Sequence, residues 1–318
     1  MLRFLVRRIA FGALVMLIVS LAVFIMFYVT SDPATTFCGR TCTPQRKEVI
    51  ERALGLDQSY VQQYLHFLNR LLHGDLGTSY ANQLSVNTKL KSGLPATASL
   101  ALGAAVLWLL MGIPIGINAA TRPRSIRDRL ATLFALVGVS LPSFVVGLIL
   151  LNLLFFQLTT HGHPWFPPSG YVPLTDDPWQ WARHLILPWF TLAFITAASY
   201  ARLTRGSMID VLGEDYIRTA RAKGLPERKV VYKHGLRSAL TPIVTLLGID
   251  IGVLLGGTVV TEKLFGLQGI GQTALQAVNQ SDLPVVLGTV VLAALFIVIA
   301  NIVVDLLYAV LDARVRLA

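Results

Sequence analysis

Side chains able to do chemistry are sparse in this chain, and their placement says more than their number. Two carboxylates, Asp250 and Asp305, stand inside long apolar runs. A charge at membrane depth is costly and normally faces protein interior or water. Asp250, midway along its run, therefore either lines a polar pathway or hydrogen-bonds to a neighbouring helix; Asp305, near the end of its run, reads as structural. The pair His161-Gly-His163 can hold a metal ion only weakly and sits in a Pro-rich stretch that reads better as a solvated loop. Cys38 and Cys42 are too few for a disulfide scaffold or a zinc site. No GxxxxGK[ST] phosphate loop is present, so ATP hydrolysis by that route is excluded, and neither HExxH nor GxSxG occurs. Gly266, Gly269 and Gly271 have the wrong spacing for a dinucleotide fingerprint and follow an apolar run, not a strand. The most informative polar segment begins at Gly213 and reads GEDYIRTARAKGLPERKVVYKHGLRSALTP.

The elements that must hold these residues are membrane helices. Charged residues make up 14% of the chain and apolar ones 54%, against roughly 25% charged in soluble domains. The apolar residues gather in six runs, at about 9–30, 97–120, 130–158, 185–201, 241–260 and 285–310. Each approaches the ~20 helical residues that cross ~30 Å of hydrocarbon. Pro114, Pro142 and Pro188 inside them do not argue against helix, because neighbouring helices satisfy the freed backbone groups. The first run has a basic start (Arg3, Arg7, Arg8), but its apolar body exceeds a signal-peptide core and no A-x-A site follows, so it is expected to stay as a helix.

Lysines and arginines give the orientation. With the N-terminus in the cytoplasm, the inside segments hold 18 of the 27 basic residues, among them Arg122, Arg124, Arg127, Arg129 and nine between Arg202 and Arg237. Both termini are then cytoplasmic. The net charge of +10 is a topology signal and not a nucleic-acid footprint. The chain divides into a first transmembrane helix (1–30), an extracytoplasmic loop domain (31–95) and a core of five transmembrane helices (96–318) with a cytoplasmic connection at 202–240. An oxidising exterior allows a local Cys38–Cys42 disulfide with no catalytic role.

That connection has the punctuation of a short helix. Asp215 precedes Tyr216, Ile217 and Ala220, Gly224 stops the helix, and Pro226 follows. A helix capped and turned in this way suits docking to a peripheral partner, and a solvated basic loop is the alternative. In the fifth run Gly248, Gly252 and Gly256 form a smooth ridge at four-residue spacing. Such a ridge either packs within this chain or meets the same helix of a second subunit across a central pathway.

RTARAKG (218–224) followed by KHGLR (233–237) resembles the "EAA" coupling loop of binding-protein-dependent ABC importers, in its dipeptide/oligopeptide/nickel permease form. Arg218, Thr219 and Ala220 stand where the motif has Glu-Ala-Ala, and Gly224 matches its glycine. His234, Gly235, Leu236 and Arg237 stand where the general motif has Ile-x-Leu-Pro. Arg218 and Arg237 depart from the general consensus in the manner of the peptide branch. HGDLGTSY (73–80), LPATASLAL (94–102), TEKLFGLQGIGQ (261–272), Asp282-Leu-Pro284 and DLLYAVLDARVR (305–316) are similar to the family in the same order.

The resemblance implies an all-α, six-helix permease of the MetI-like, type I importer class in the bacterial cytoplasmic membrane. It implies as partners a second homologous permease, one or two ABC ATPase subunits carrying ATP and Mg²⁺, an extracytoplasmic peptide-binding protein and a peptide substrate. No cofactor is expected in this chain and no enzyme activity of its own. Arg218, Thr219, Ala220, Arg221, Ala222, Lys223, Gly224 and His234 are the expected contacts to the ATPase, with Arg221 and Lys223 pairing with its acids. One hypothesis places Asp250 and the Gly248, Gly252, Gly256 ridge at the pathway, where the carboxylate would attract a peptide's amino terminus; a hydrogen bond to a neighbouring helix and packing within the chain are the alternatives. Nickel or haem import by the same family, and an ion-coupled secondary transporter built on Asp250, are the rival readings.

Overall fold

The computed structural model describes residues 2–26, 34, 43–54, 56–167 and 169–311, and the side chains of 2–5, 50, 53, 54, 305 and 307–311 lie outside that description. Cys38, Cys42 and the side chain of Asp305 are therefore outside it. The described residues form twelve helices: α1 (Leu2–Phe24), α2 (Pro44–Leu54), α3 (Tyr60–Leu72), α4 (Val86–Ala120), α5 (Ile126–Ser140) and α6 (Ser143–Thr160) come first. They are followed by α7 (Pro178–Leu212), α8 (Asp215–Ala222), α9 (Glu227–Leu255), α10 (Val259–Leu264), α11 (Ile270–Asn279) and α12 (Leu283–Leu311). Among the described residues the one β feature is an isolated bridge between Thr78 and Ser85. Six helices, α1, α4, α6, α7, α9 and α12, are long and apolar enough to cross a membrane.

The third expected span, 130–158, is not one helix. Leu141 is extended (φ −93°, ψ 128°), and the helix restarts at Ser143 behind Pro142. The proline ring clashes with an α-helical residue before it, so the chain breaks at Leu141 instead of bending through. Two spans are longer than their apolar runs. Helices α4 and α7 have 35 residues each, about 50 Å at 1.5 Å per residue, well beyond the hydrocarbon thickness. Asp177 starts α7 by accepting from the Trp179 and Gln180 amides, with Pro178 at the first helical position. The fifth span ends earlier than expected, at Leu255, because Gly257 takes φ 113° and turns the chain toward α10.

Small residues let the central helices approach. Ala104, Ala105 and Trp108 of α4 pack against Ala193, Ala197 and Tyr200 of α7 and Ile243 of α9. A Cβ on Gly112 would lie 2.9 Å from the Ala197 carbonyl, and one on Gly116 would lie 2.6 Å from that of Ala201. Close backbone contact of this kind replaces the hydrophobic drive that helices lack within lipid. The outer faces carry exposed apolar side chains such as Leu14, Leu110 and Leu133, which suits a lipid surround. Outside the core, α3 lays Phe67 and Leu71 against Val23 of α1 and Leu287 and Val291 of α12, and its Tyr64 hydroxyl is 3.0 Å from Ser20 Oγ.

Candidate functional site

Helix α8 is short because its ends are fixed. Gly213 closes α7, Glu214 is extended, and Gly224 at φ 74° reverses the chain before Pro226 begins α9. A left-handed glycine after a helix is the usual stop, since no Cβ opposes it. Ile217 and Ala220 turn inward and are buried with Val230, against Leu212 and Leu225. The Tyr216 hydroxyl donates to Ser238 Oγ at 3.0 Å. Arg221 grips Glu227 through two hydrogen bonds of 2.8 and 3.1 Å. Below this, Met208 of α7, Val231 and Ala239 of α9, and Ile117 and Ala120 of α4 form one apolar cluster. A Cβ on Gly235 would lie 3.3 Å from Leu212 Cδ2, so α9 starts in contact with the end of α7. The short helix thus packs on the end of α7 and the start of α9, and these in turn pack on α4 through the cluster below.

The expected contact residues divide into two faces. Arg218, Thr219, Ala222 and Lys223 are exposed, as is Tyr216. Arg218 makes an exposed pair with Asp215 at 3.2 Å. Two of the expected residues also have contacts within the chain. Ala220 faces this chain's own core, because it lies three residues from Ile217 on the same side of the helix. Arg221 is occupied by Glu227, so its charge already has an acid within the chain. His234 is half-buried in a π-helical turn, Val230–Gly235.

One more charged pair braces this end. Arg205 of α7 meets Asp128 at the start of α5 through two hydrogen bonds, 2.5 Å from Nε and 3.0 Å from a terminal nitrogen. The Arg124 amide adds a third at 2.9 Å. The Arg205 guanidinium, with that amide, holds the Asp128 carboxyl below the usual carboxylate range.

Asp250 accepts a hydrogen bond from the Tyr200 hydroxyl at 2.8 Å, joining α9 to α7 beside Trp108. The glycine ridge is filled from within the chain. Gly248 lies against Val304 and Ala300 of α12, Gly252 against Ile297 and Ala300, and Gly256 against Ala293. A second permease would have to displace α12 to reach those glycines. The three glycines thus face the protein's own last helix, as in the alternative of packing within this chain.

At the opposite end of the bundle, the remaining motifs meet one another. Glu262 is fully buried and accepts from Thr97 Oγ1 and the Gln272 amide, each at 2.8 Å. Thr97 Oγ1 in turn accepts from the Ile270 amide at 2.8 Å. Burial pushes the Glu262 carboxyl up, and those hydrogen bonds oppose the shift. Asp282 accepts from Ser79 Oγ and, at 2.8 Å, from the Tyr80 amide, so HGDLGTSY and Asp282-Leu-Pro284 form one contact. Sequence reading assigned Glu262 no role. Its signal was an acid close before three glycines, whose partners cannot be read from spacing. His161 and His163 lie in an exposed turn, and no group of three or more His, Cys, Asp or Glu able to hold a metal ion occurs among the described residues.

Residues 112–317 match the family described as the inner membrane component of binding-protein-dependent transport systems, and residues 1–101 match that family's N-terminal membrane-component region. The chain belongs to this family. It is similar to a peptide transport system permease protein of Brucella abortus, 40% identical over 98% of each chain. It is likewise similar to the glutathione transport system permease protein GsiC of Salmonella typhimurium, 37% identical over 99% of each. A chain of the MetNI methionine ABC transporter, solved in inward-facing conformations, shares the fold with a TM-score of 0.53 and 18% identity. That match covers 70% of this chain and 96% of the other. The permease is thus a multi-pass inner-membrane, non-catalytic subunit of an ABC importer of peptide or glutathione type. Membership removes the ion-coupled secondary transporter that Asp250 alone had kept open, and the polar features above are parts of a permease bundle.

Proposed function

We propose that this permease forms half of the translocation pathway of a peptide importer and docks α8 onto an ATPase subunit. The observation that carries this is the two-faced short helix. Ile217 and Ala220 are buried in the bundle while Tyr216, Arg218, Thr219, Ala222 and Lys223 face out. A lever needs one side fixed to the spans and the other free for the engine. The basic residues around it support a cytoplasmic position for that face and for both termini.

In this reading a second, homologous permease completes the pathway. One or two ATPase subunits carry ATP and Mg²⁺, and an extracytoplasmic binding protein delivers the peptide. Closure of the ATPases on ATP pushes α8, and its contacts to α7 and α9, with α4 packed behind them, rock the bundle between outward and inward access. Asp250 has one oxygen on Tyr200 and the other left to meet a peptide's amino terminus. The relatives' peptide and glutathione transport names favour a peptide over nickel or haem. Extraction of the complex in mild detergent, with mass spectrometry of proteins and bound solutes, tests this. A second permease, ATPase subunits and bound peptides are expected; a chain recovered without an ATPase would overturn it.

A further inference from the structure

Beside the first turns of α4 lies a cleft of about 330 Å³ toward α11. Its lining includes five carboxamides, Gln268, Gln272, Gln276, Gln280 and Asn82, with Ser92 and Lys89 among the rest. Gln272, Gln276 and Gln280 follow a four-residue period along α11 and its C-terminal cap. Each carboxamide offers two donors and an acceptor. Gln268, Gln276 and Gln280 are exposed. Gln272 Oε1 is buried and has no hydrogen-bond partner. A desolvated acceptor without a partner is unfavourable, and turning the Gln272 carboxamide into the cleft would let a donor from a bound molecule satisfy it.

The spacing narrows the occupant. Four helical residues rise ~6 Å, close to the ~6.6 Å over which an extended peptide repeats the same edge. Neighbouring glutamines can therefore meet backbone groups two residues apart along one side of an extended chain, and a tripeptide spans two of the three. Lys89 is already engaged, with Nζ 2.9 Å from Ser79 Oγ and 3.4 Å from Asp282 Oδ2. The lining thus offers amide polarity and little net charge, which reads backbone and leaves peptide side chains unread. We propose that this cleft is a subsite that holds an extended peptide by its backbone as it enters the permease. The inference rests on the peptide reading of the previous section.

The test uses the assembled complex with its binding protein and ATPases in proteoliposomes. A photoreactive residue replaces Gln276, and a labelled tripeptide is supplied during ATP turnover. A peptide adduct that unlabelled tripeptide suppresses is expected. In parallel, the double substitution Gln276→Leu with Gln280→Leu raises the half-saturating concentration of the tripeptide about ten-fold, since two hydrogen bonds are lost. The same substitutions leave the backbone N-methylated tripeptide nearly unchanged, because those donors are already gone. An adduct to the binding protein alone, no adduct, or an equal shift for both peptides would overturn the subsite. If the complex still imports peptide while giving any of those results, only the cleft assignment falls. If it imports no peptide at all, the proposed function falls and the subsite with it.

Discussion

Glu262 shows how much one residue organises at the end away from α8. Its carboxylate joins Thr97 of α4 to the start of α11, and Gly269 stands so close that any Cβ there would overlap it. Gly269→Ala is expected to destabilise the solubilised protein by roughly 1–3 kcal/mol through overpacking, measured as a lowered thermal midpoint; an unchanged midpoint would contradict this packing. Asp128 gives a prediction with a sign. Its carboxyl titrates below the usual range because Arg205 and the Arg124 amide favour its charged form. The pair's contribution is therefore present at neutral pH and is lost as pH falls below about 4. Asp128→Asn should lower stability at pH 7 by about 1–2 kcal/mol, the Arg205 side chain being partly exposed. The difference from wild type should shrink on acidification. For Asp250→Asn the pathway reading expects peptide uptake to fall several-fold with assembly intact. Uptake at the wild-type rate would leave Asp250 only its bond to Tyr200.

Among the elements, α8 carries the mechanical argument. It presents Thr219 and Ala222 outward while Ile217 anchors it. Ala222→Trp should leave membrane insertion intact, since that position touches no core, and should cut transport at least ten-fold by obstructing the ATPase groove; normal transport would count against docking through this face. The helix and its glycine stop were legible in the sequence because capping and φ > 0 demands are local. Which of its residues point outward was not, because that depends on Leu212, Leu225 and Val230 arriving from outside the motif. The same limit explains the third span. An apolar run through Pro142 looks continuous to hydropathy, but the break at Leu141 is a backbone conformation. Helices α4 and α7 outrun their apolar stretches because VNTKLKSG and LTRGSMIDVL continue the helix with polar side chains.

At the scale of the whole molecule, the six apolar helices were readable because burial in lipid writes itself as unbroken hydropathy. The pairing of those helices was not, because it is fixed by side chains far apart in sequence. Ser79 with Asp282, Thr97 with Glu262 and Tyr200 with Asp250 are such cases. The glycine ridge on α9 is instructive: its composition suits any close helix partner, and only the fold shows α12 seated on it. The bundle is thereby braced at both ends, by Glu262 and Asp282 at one and by the α8 clamp and Asp128–Arg205 at the other. On the proposed coupling role, force applied to α8 would move this braced body. The most direct measurement of that claim is site-specific photocrosslinking in native membranes, with the photoreactive residue at position 219 or 222 and, as control, at exposed position 176 beyond the far end of α7. Capture of the ATPase subunit from 219 and 222 but not from 176 is the predicted result. Absence of the ATPase from both α8 positions, or its capture from 176 as well, would contradict the coupling role of this helix.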